Sequence, residues 1–326
     1  MGLLEIRALK THYHTVEGIV RAVDEIDLYV ERGETLGLVG ESGCGKSTVG
    51  LSILRLVQPP GRIAGGHMIF DGEDLLLKRQ REMEKIRGRK ISMVFQNPMS
   101  SLNPVFTIRE QVAEAIRLHQ DISRNEVSSM VVSLLERAGI PDPWNRMKDY
   151  PHEYSGGMRQ RAMIAMAISC NPLLLIADEP TTSLDVTIQA QILELMKNLK
   201  RELKMSTMLI THDLGLVAEL CDRVAVMYAG KIVECSDVGT IFKRPVHPYT
   251  EALLKATLTT LGTRVREFYS IRGFVPDLIS PPRGCRFQPR CDYATDLCSK
   301  EPPEVEVDSG HRVCCFRAAQ RYLDEA

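Results

Sequence analysis

An α/β fold with a mainly parallel sheet is predicted by three observations. From Thr35 to Tyr228, short apolar strands alternate with helical stretches, the order that βαβ units require. One such strand runs into the glycine-rich loop Gly40-Glu41-Ser42-Gly43-Cys44-Gly45-Lys46-Ser47 and then into a helix. A second, Leu173-Leu174-Leu175-Ile176-Ala177, ends in the carboxylate pair Asp178-Glu179.

Leu4 to Lys10 and Val20 to Val30 are broadly alternating or β-branched and read as strands, with Arg32-Gly33 as a turn. Thr35 to Gly40 is a short strand ending in glycine. A helix follows from Lys46 to about Val57 and is stopped by Pro59-Pro60-Gly61. Strands are expected at His67 to Phe70, before the Asp71-Gly72 turn, and at Ile91 to Phe95. From about Ile108 to Ala138 the periodicity is helical. Prolines flank that stretch (Pro98, Pro104, Pro141, Pro143, Pro151), so it reads as a helical insert, part of a helical subdomain at about 98–165. Gly157 to Cys170 is a helix with Met163, Ala167 and Cys170 on one face. After the strand at 173–177 come a helix (Val186 to Leu203), a strand (Thr207 to Ile210), a helix (Leu214 to Cys221) and a strand (Val224 to Tyr228). Beyond Pro245 the chain is dense in Pro, Arg and Cys, and Pro276 to Val313 is expected to be mostly loop.

The 326 residues suggest about two domains, at roughly 100–200 residues each: 1–240 and an extension at 241–326. Lys plus Arg number 41 and Asp plus Glu 42, a net charge of −1 that gives no reason to expect a nucleic-acid partner. No apolar run approaches the ~18–20 residues of a membrane span. Met1-Gly2-Leu3-Leu4-Glu5 lacks the basic and apolar regions of a signal peptide. The expectation is a soluble, cytosolic chain with reduced thiols, which disfavours disulfides. Of nine cysteines, Cys44, Cys170, Cys221 and Cys235 are scattered, while Cys285, Cys291, Cys298, Cys314 and Cys315 crowd the last 42 residues.

The loop at 40–47 matches G-x-x-x-x-G-K-[ST]. Its glycines let backbone N–H groups turn inward on phosphate oxygens, and the helix start adds a positive dipole end. Lys46 would reach the β and γ phosphates and the Ser47 hydroxyl would bind Mg²⁺. Cys44 lies where a serine would pack equally well. It reads as a neutral small residue or, alternatively, as a thiol of lowered pKa at a helix N-terminus. In the second acidic strand, Asp178 would hold the metal and Glu179 would polarise the attacking water.

Three further motifs carry a resemblance. Tyr154-Ser155-Gly156-Gly157-Met158-Arg159-Gln160-Arg161 precedes a helix, Ser183-Leu184-Asp185 follows the acidic strand, and Leu209-Ile210-Thr211 runs into His212-Asp213. Over about residues 4–240 the ordered set resembles the ATP-binding cassette ATPases of ABC transporters. The resemblance implies a P-loop, RecA-like fold with an antiparallel β subdomain and a helical subdomain. It implies ATP bound by Gly40, Ser42, Gly43, Cys44, Gly45, Lys46, Ser47, Thr48 and Gln96, with Tyr13 stacked on adenine. Mg²⁺ would be held by Ser47, Gln96 and Asp178, and Glu179 and His212 would be catalytic. Cassettes of this family pair head to tail. Ser155, Gly156 and Gly157 would therefore serve the partner's γ-phosphate, and Asp185 would lie at that interface. The family's usual Leu-Ser-Gly-Gly-Gln is altered here at both ends, to Tyr154 and Met158.

In the tail, the spacing Cys285-x5-Cys291-x6-Cys298-x16-Cys315 indicates a thiolate site without choosing its metal. His311 is a spare ligand or a surface residue, and Arg244 to Thr250 reads as a proline-stiffened turn. His247-Pro248-Tyr249, then Gly284-Cys285-Arg286-Phe287-Gln288-Pro289-Arg290-Cys291 and Gly310-His311-Arg312-Val313-Cys314-Cys315, resemble the C-terminal extension of ATPase subunits from dipeptide, oligopeptide and nickel importers. That resemblance implies a [4Fe-4S] cluster on Cys285, Cys291, Cys298 and Cys315, with Cys314 as a rival fourth ligand and zinc as the alternative metal. Nearby arginines would offset the cluster's charge. The implied partners are a second ATPase subunit or a second copy of the chain, two transmembrane permeases and, indirectly, a solute-binding protein. The implied location is the cytoplasmic face of the membrane. Peptide import is the function implied. Nickel import and a soluble, non-transport ABC ATPase are the alternatives.

Overall fold

The computed structural model describes residues 2–182, 184–258 and 269–325. Its strands in chain order are β1 (Leu4–Thr15), β2 (Gly18–Val30), β3 (Thr35–Val39), β4 (Gly61–Phe70), β5 (Glu73–Asp74), β6 (Ile91–Val94), β7 (Leu174–Asp178), β8 (Ser206–Thr211), β9 (Arg223–Tyr228), β10 (Lys231–Asp237), β11 (Glu304–Asp308) and β12 (His311–Cys314). The chain divides into two compact units. The first comprises Met1–Val30, Thr35–Leu76 and Ile210–Ala326, and the second Glu31–Glu34 and Leu77–Leu209.

The first unit holds an antiparallel sheet of order β2-β1-β4-β5. β1 and β2 form a hairpin from Leu4↔Val30 to Thr15↔Gly18. β4 begins at Gly61, earlier than the expected His67, because its first residues pair with Thr11, His12 and Tyr13. The same unit holds the strands β11-β12-β10-β9-β3 in that order. β3 and β9 run parallel and are buried along most of their length, so they read as near-continuous apolar runs. The second unit holds the first four residues of β8, then β7 and β6, in order, with β6 and β7 parallel in the register Ile91↔Leu174 to Val94↔Ala177. Its helices include Ile108–Arg117, Arg124–Arg137, Gly156–Ala167 and Val186–Leu203. Thr107 and Ser123 cap the first two, each with a glutamate three residues on that closes a capping box.

The chain beyond 240 packs as part of the first unit. The stretch expected as loop contains the hairpin β11–β12, with β12 antiparallel to β10 through Glu234↔Val313 and Cys235↔Arg312. Glu304-Val305-Glu306-Val307-Asp308 alternates with period two and is followed by a Ser-Gly turn, a strand signal masked by the neighbouring prolines. The proline-stiffened turn proves to be the entry to a helix, Pro248–Leu258, with proline at its first position. Phe287 and Tyr249 are buried here in one apolar cluster with Val39, Val226 and Tyr228. Among the described residues, no helix is long and apolar enough to cross a membrane.

Candidate functional site

The phosphate loop belongs to the first unit. β3 delivers the chain to Gly40, and the helix Lys46–Ile53 carries it away. Gly45 adopts φ +107°, and a Cβ there would lie 2.0 Å from the Ala22 carbonyl oxygen, so only glycine fits. Lys46 is buried, and its Nζ donates to the carbonyl oxygens of Gly40 at 2.7 Å and Glu41 at 3.0 Å. The amine is thereby held over the loop. Tyr13 comes to the start of this helix: its hydroxyl lies 3.4 Å from Thr48 Oγ1, and its ring covers Gly61. Cys44 is fully buried, and burial pushes its thiol above the ordinary range although Lys46 opposes the shift. The lowered-pKa alternative is overturned, because desolvation outweighs the helix start. His212 follows β8 on an exposed turn, and the next residue, Asp213, caps the helix Leu214–Leu220 by accepting from Gly215 N–H at 2.8 Å.

The acidic strand belongs to the second unit. Asp178 and Glu179 are both buried. Glu179 sits at φ +46°, a left-handed conformation that a glutamate adopts only when its surroundings impose it. The Gln96 amide donates to Glu179 Oε2 at 2.7 Å, and Thr182 Oγ1 donates to the same oxygen at 3.0 Å. Sequence reasoning placed Gln96 near the metal but missed this link, since nothing in the spacing pairs residues 83 positions apart. The bond leaves the Gln96 carbonyl oxygen as the atom able to ligate a cation.

Ser155 is the N-cap of Gly156–Ala167 and accepts from Met158 N–H at 3.3 Å. A Cβ on Gly157 would come 2.7 Å from Ile188 Cγ2, whereas one on Gly156 would meet only Leu184 at 3.7 Å. Tyr154 is buried with its hydroxyl donating to the Arg146 carbonyl at 3.0 Å, so this departure from the common signature is absorbed inside the chain. Asp185 caps Val186–Leu203 through Ile188 N–H at 3.0 Å. Ser183 of the same motif lies outside the described residues.

Cys285, Cys291, Cys298 and Cys315 line one cavity of about 390 Å³ in the first unit. Cys314 lines a neighbouring one, with Lys231, Glu304 and Cys285, and does not line the first. The structure thus sets Cys315, not Cys314, beside the other three. Burial raises the Cys285 thiol to about 11 and Cys314 to about 12. Among the described residues, no three His, Cys, Asp or Glu side chains converge closely enough to hold a single metal ion. All nine cysteines are free thiols.

Two tail expectations are corrected. His311 is buried and bonds Glu234 Oε1 at 2.8 Å through Nε2, so it is neither a spare ligand nor a surface residue. Glu234, itself buried, also accepts from the N–H groups of Val246 at 2.8 Å and His247 at 3.0 Å. Nor do the arginines gather around the thiols. Arg286 is drawn to the Asp24 carboxylate and the Ala229 carbonyl, and Arg290 to Glu41. Arg317 is the arginine that lines the thiol cavity.

Residues 23–182 match the family model described as ABC transporter, and residues 233–298 match the oligopeptide/dipeptide transporter C-terminal region. The chain is 49% identical over 318 residues to a probable peptide ABC transporter ATP-binding protein of Sinorhizobium fredii, covering 97% of this chain and 95% of that one. It is 46% identical over 321 residues to the oligopeptide transport ATP-binding protein OppD of Salmonella typhimurium, covering 98% and 95%. This chain belongs to the peptide ABC transporter ATP-binding proteins. The cassette also resembles solved structures. One is the dimeric post-hydrolysis state of the ATP-binding cassette MJ0796 bound to ADP and Pi, with 26% identity and a TM-score of 0.65 over 72% of this chain and 98% of that one. Another is cbiO1 from Clostridium perfringens, with 26% identity and a TM-score of 0.64 over 74% and 91%. The relatives named for peptides do not favour the nickel alternative.

Proposed function

We propose that this cassette is the ATP-hydrolysing subunit of a peptide importer. The observation that carries the reading is its near full-length likeness to peptide-transport ATP-binding proteins, joined to an intact phosphate loop and a doubly held Glu179. In this reading Lys46 and the N–H groups of residues 40–48 bind the nucleotide phosphates, and Tyr13 stacks on the base. Ser47, Gln96 and Asp178 hold Mg²⁺, which when bound neutralises phosphate charge. Glu179 orients and polarises the attacking water, and His212 supports it. Ser155, Gly156 and Gly157 serve the nucleotide of a partner cassette, with Asp185 at the shared face. That partner is a second ATPase subunit or another copy. The cassette docks on two permeases at the cytoplasmic face and acts indirectly for a solute-binding protein. Residues 1–240 carry the ATP chemistry, and 241–326 carry the thiol site.

For the thiol site the reading is a [4Fe-4S] cluster with zinc as the alternative; four cysteine sulfurs lining one cavity support a thiolate site without choosing between the two.

The test is isolation from membranes. We expect two integral membrane subunits to co-purify, with an ATPase rate that peptide and its binding protein raise. Co-purification with nucleic acid or ribosomes, and no permease, would refute transport.

A further inference from the structure

Arg290 ends the short turn Gln288–Arg290, one residue before Cys291. Its side chain is only 4% exposed and points to the phosphate loop. Nη1 and Nη2 donate to the two carboxylate oxygens of Glu41 at 2.6 and 3.0 Å, and Nε donates to the Arg272 carbonyl at 2.8 Å. Glu41 is the second residue of that loop. Its N–H donates to Tyr249 Oη at 2.9 Å, and its carbonyl accepts from Lys46 Nζ at 3.0 Å. Tyr249 also comes from the C-terminal segment, and Phe287 packs 5.4 Å from its ring and 5.2 Å from that of Tyr228. The side-chain clamp on Glu41 and the acceptor for its N–H therefore both originate beyond residue 240, whereas its carbonyl is held from within the loop by Lys46. Phosphate recognition depends on N–H groups held in one orientation, so whatever fixes Glu41 helps set that orientation. A bidentate guanidinium–carboxylate pair, with the arginine buried and the carboxylate partly buried, is a rigid way to fix it.

We propose that Arg290 is a positioning residue for the phosphate loop, and that nucleotide affinity depends on its grip on Glu41. The proposal rests on the nucleotide-binding reading of the loop.

The test uses the full-length chain and a fluorescent ATP analogue with Mg²⁺. Arg290→Ala should weaken binding about tenfold, within the usual span of coupling between sites, with a smaller change in kcat. Arg290→Lys should recover part of the loss. In a Glu41→Gln background, Arg290→Ala should add little, since both changes remove one interaction. A folded Arg290→Ala chain that binds as tightly as wild type, or fully additive effects with Glu41→Gln, would overturn the positioning role. Undiminished binding by Lys46→Ala, or none by the wild type, would instead refute the nucleotide reading.

Discussion

Glu179 was legible as a residue but not as an arrangement. Its place after an apolar strand marked it, yet the left-handed backbone and the grip of Gln96 and Thr182 arise from chain segments distant in sequence. Replacing it by glutamine keeps the shape and removes the carboxylate proposed to polarise the attacking water. We expect Glu179→Gln to bind ATP normally and to hydrolyse it about 10²–10⁴-fold more slowly, the usual contribution of a positioned base. Single-turnover kinetics would check this, and an unchanged rate would assign the base elsewhere. Cys44 shows why residue-level reading can err: the helix start argues for a thiolate, but burial decides for the thiol. His247 was read as part of a turn and is instead fully enclosed, its Nδ1 accepting from Tyr249 N–H at 3.1 Å. Burial lowers its pKa to about 4. The unfolded chain, with a pKa of about 6.5, gains a proton below that pH while the folded chain does not. Stability from the neutral ring is therefore complete above about 6.5 and falls by about 1.4 kcal/mol per pH unit between 6.5 and 4. His247→Asn, which keeps an acceptor and cannot titrate, should show a shallower loss in urea denaturation across that window. Identical slopes would remove His247 from the acid response.

At the scale of elements, the two signature glycines separate by their surroundings. Gly157 lets the helix it opens approach Val186–Leu203 closely, and its added methyl must displace Ile188. Gly157→Ala should cost about 1–3 kcal/mol, the range for overpacking, and lower Tm visibly. Gly156 faces no such neighbour. Gly156→Ala should leave Tm nearly unchanged and, on the proposed role of this position toward a partner's nucleotide, slow ATP turnover, because this chain's packing does not need the bare position. A large Tm loss for Gly156→Ala would refute that division. Caps were readable in the sequence: Ser155, Asp185 and Asp213 each stand just before a helix and each accepts an N–H there. The hairpin of β11 and β12 was also written in the alternation of residues 304–308, but dense Pro and Cys on either side suggested loop. Pairing with β10 supplies the order that local propensity does not.

At the scale of the whole chain, the C-terminal segment is built into the first unit. Phe287 and Tyr249 fill its apolar cluster, and β12 adds to β10. Cutting the chain after Thr240 removes both aromatic side chains, and losing one large buried aromatic alone costs about 3–5 kcal/mol. We expect the truncated chain to unfold or precipitate, as judged by circular dichroism. A stable, ATP-binding fragment would show that the segment is dispensable for folding. The thiol site makes a separate prediction. Anaerobically purified protein should be brown and carry iron and sulfide, lost together on replacing Cys285, Cys291, Cys298 or Cys315 by serine and kept in Cys314→Ser. Colourless protein with stoichiometric zinc would refute the cluster. The sequence by itself determined the α/β class, the phosphate loop, the acidic strand, the signature and the cysteine set, because each is a local pattern whose chemistry depends on neighbouring residues. Only the tertiary structure decided which fourth cysteine shares the cavity, that Gln96 holds Glu179, and that Arg290 and Tyr249 grip Glu41. Those contacts join positions up to 249 residues apart, and whether two such groups meet is set by how strands and helices pack, not by any spacing along the chain.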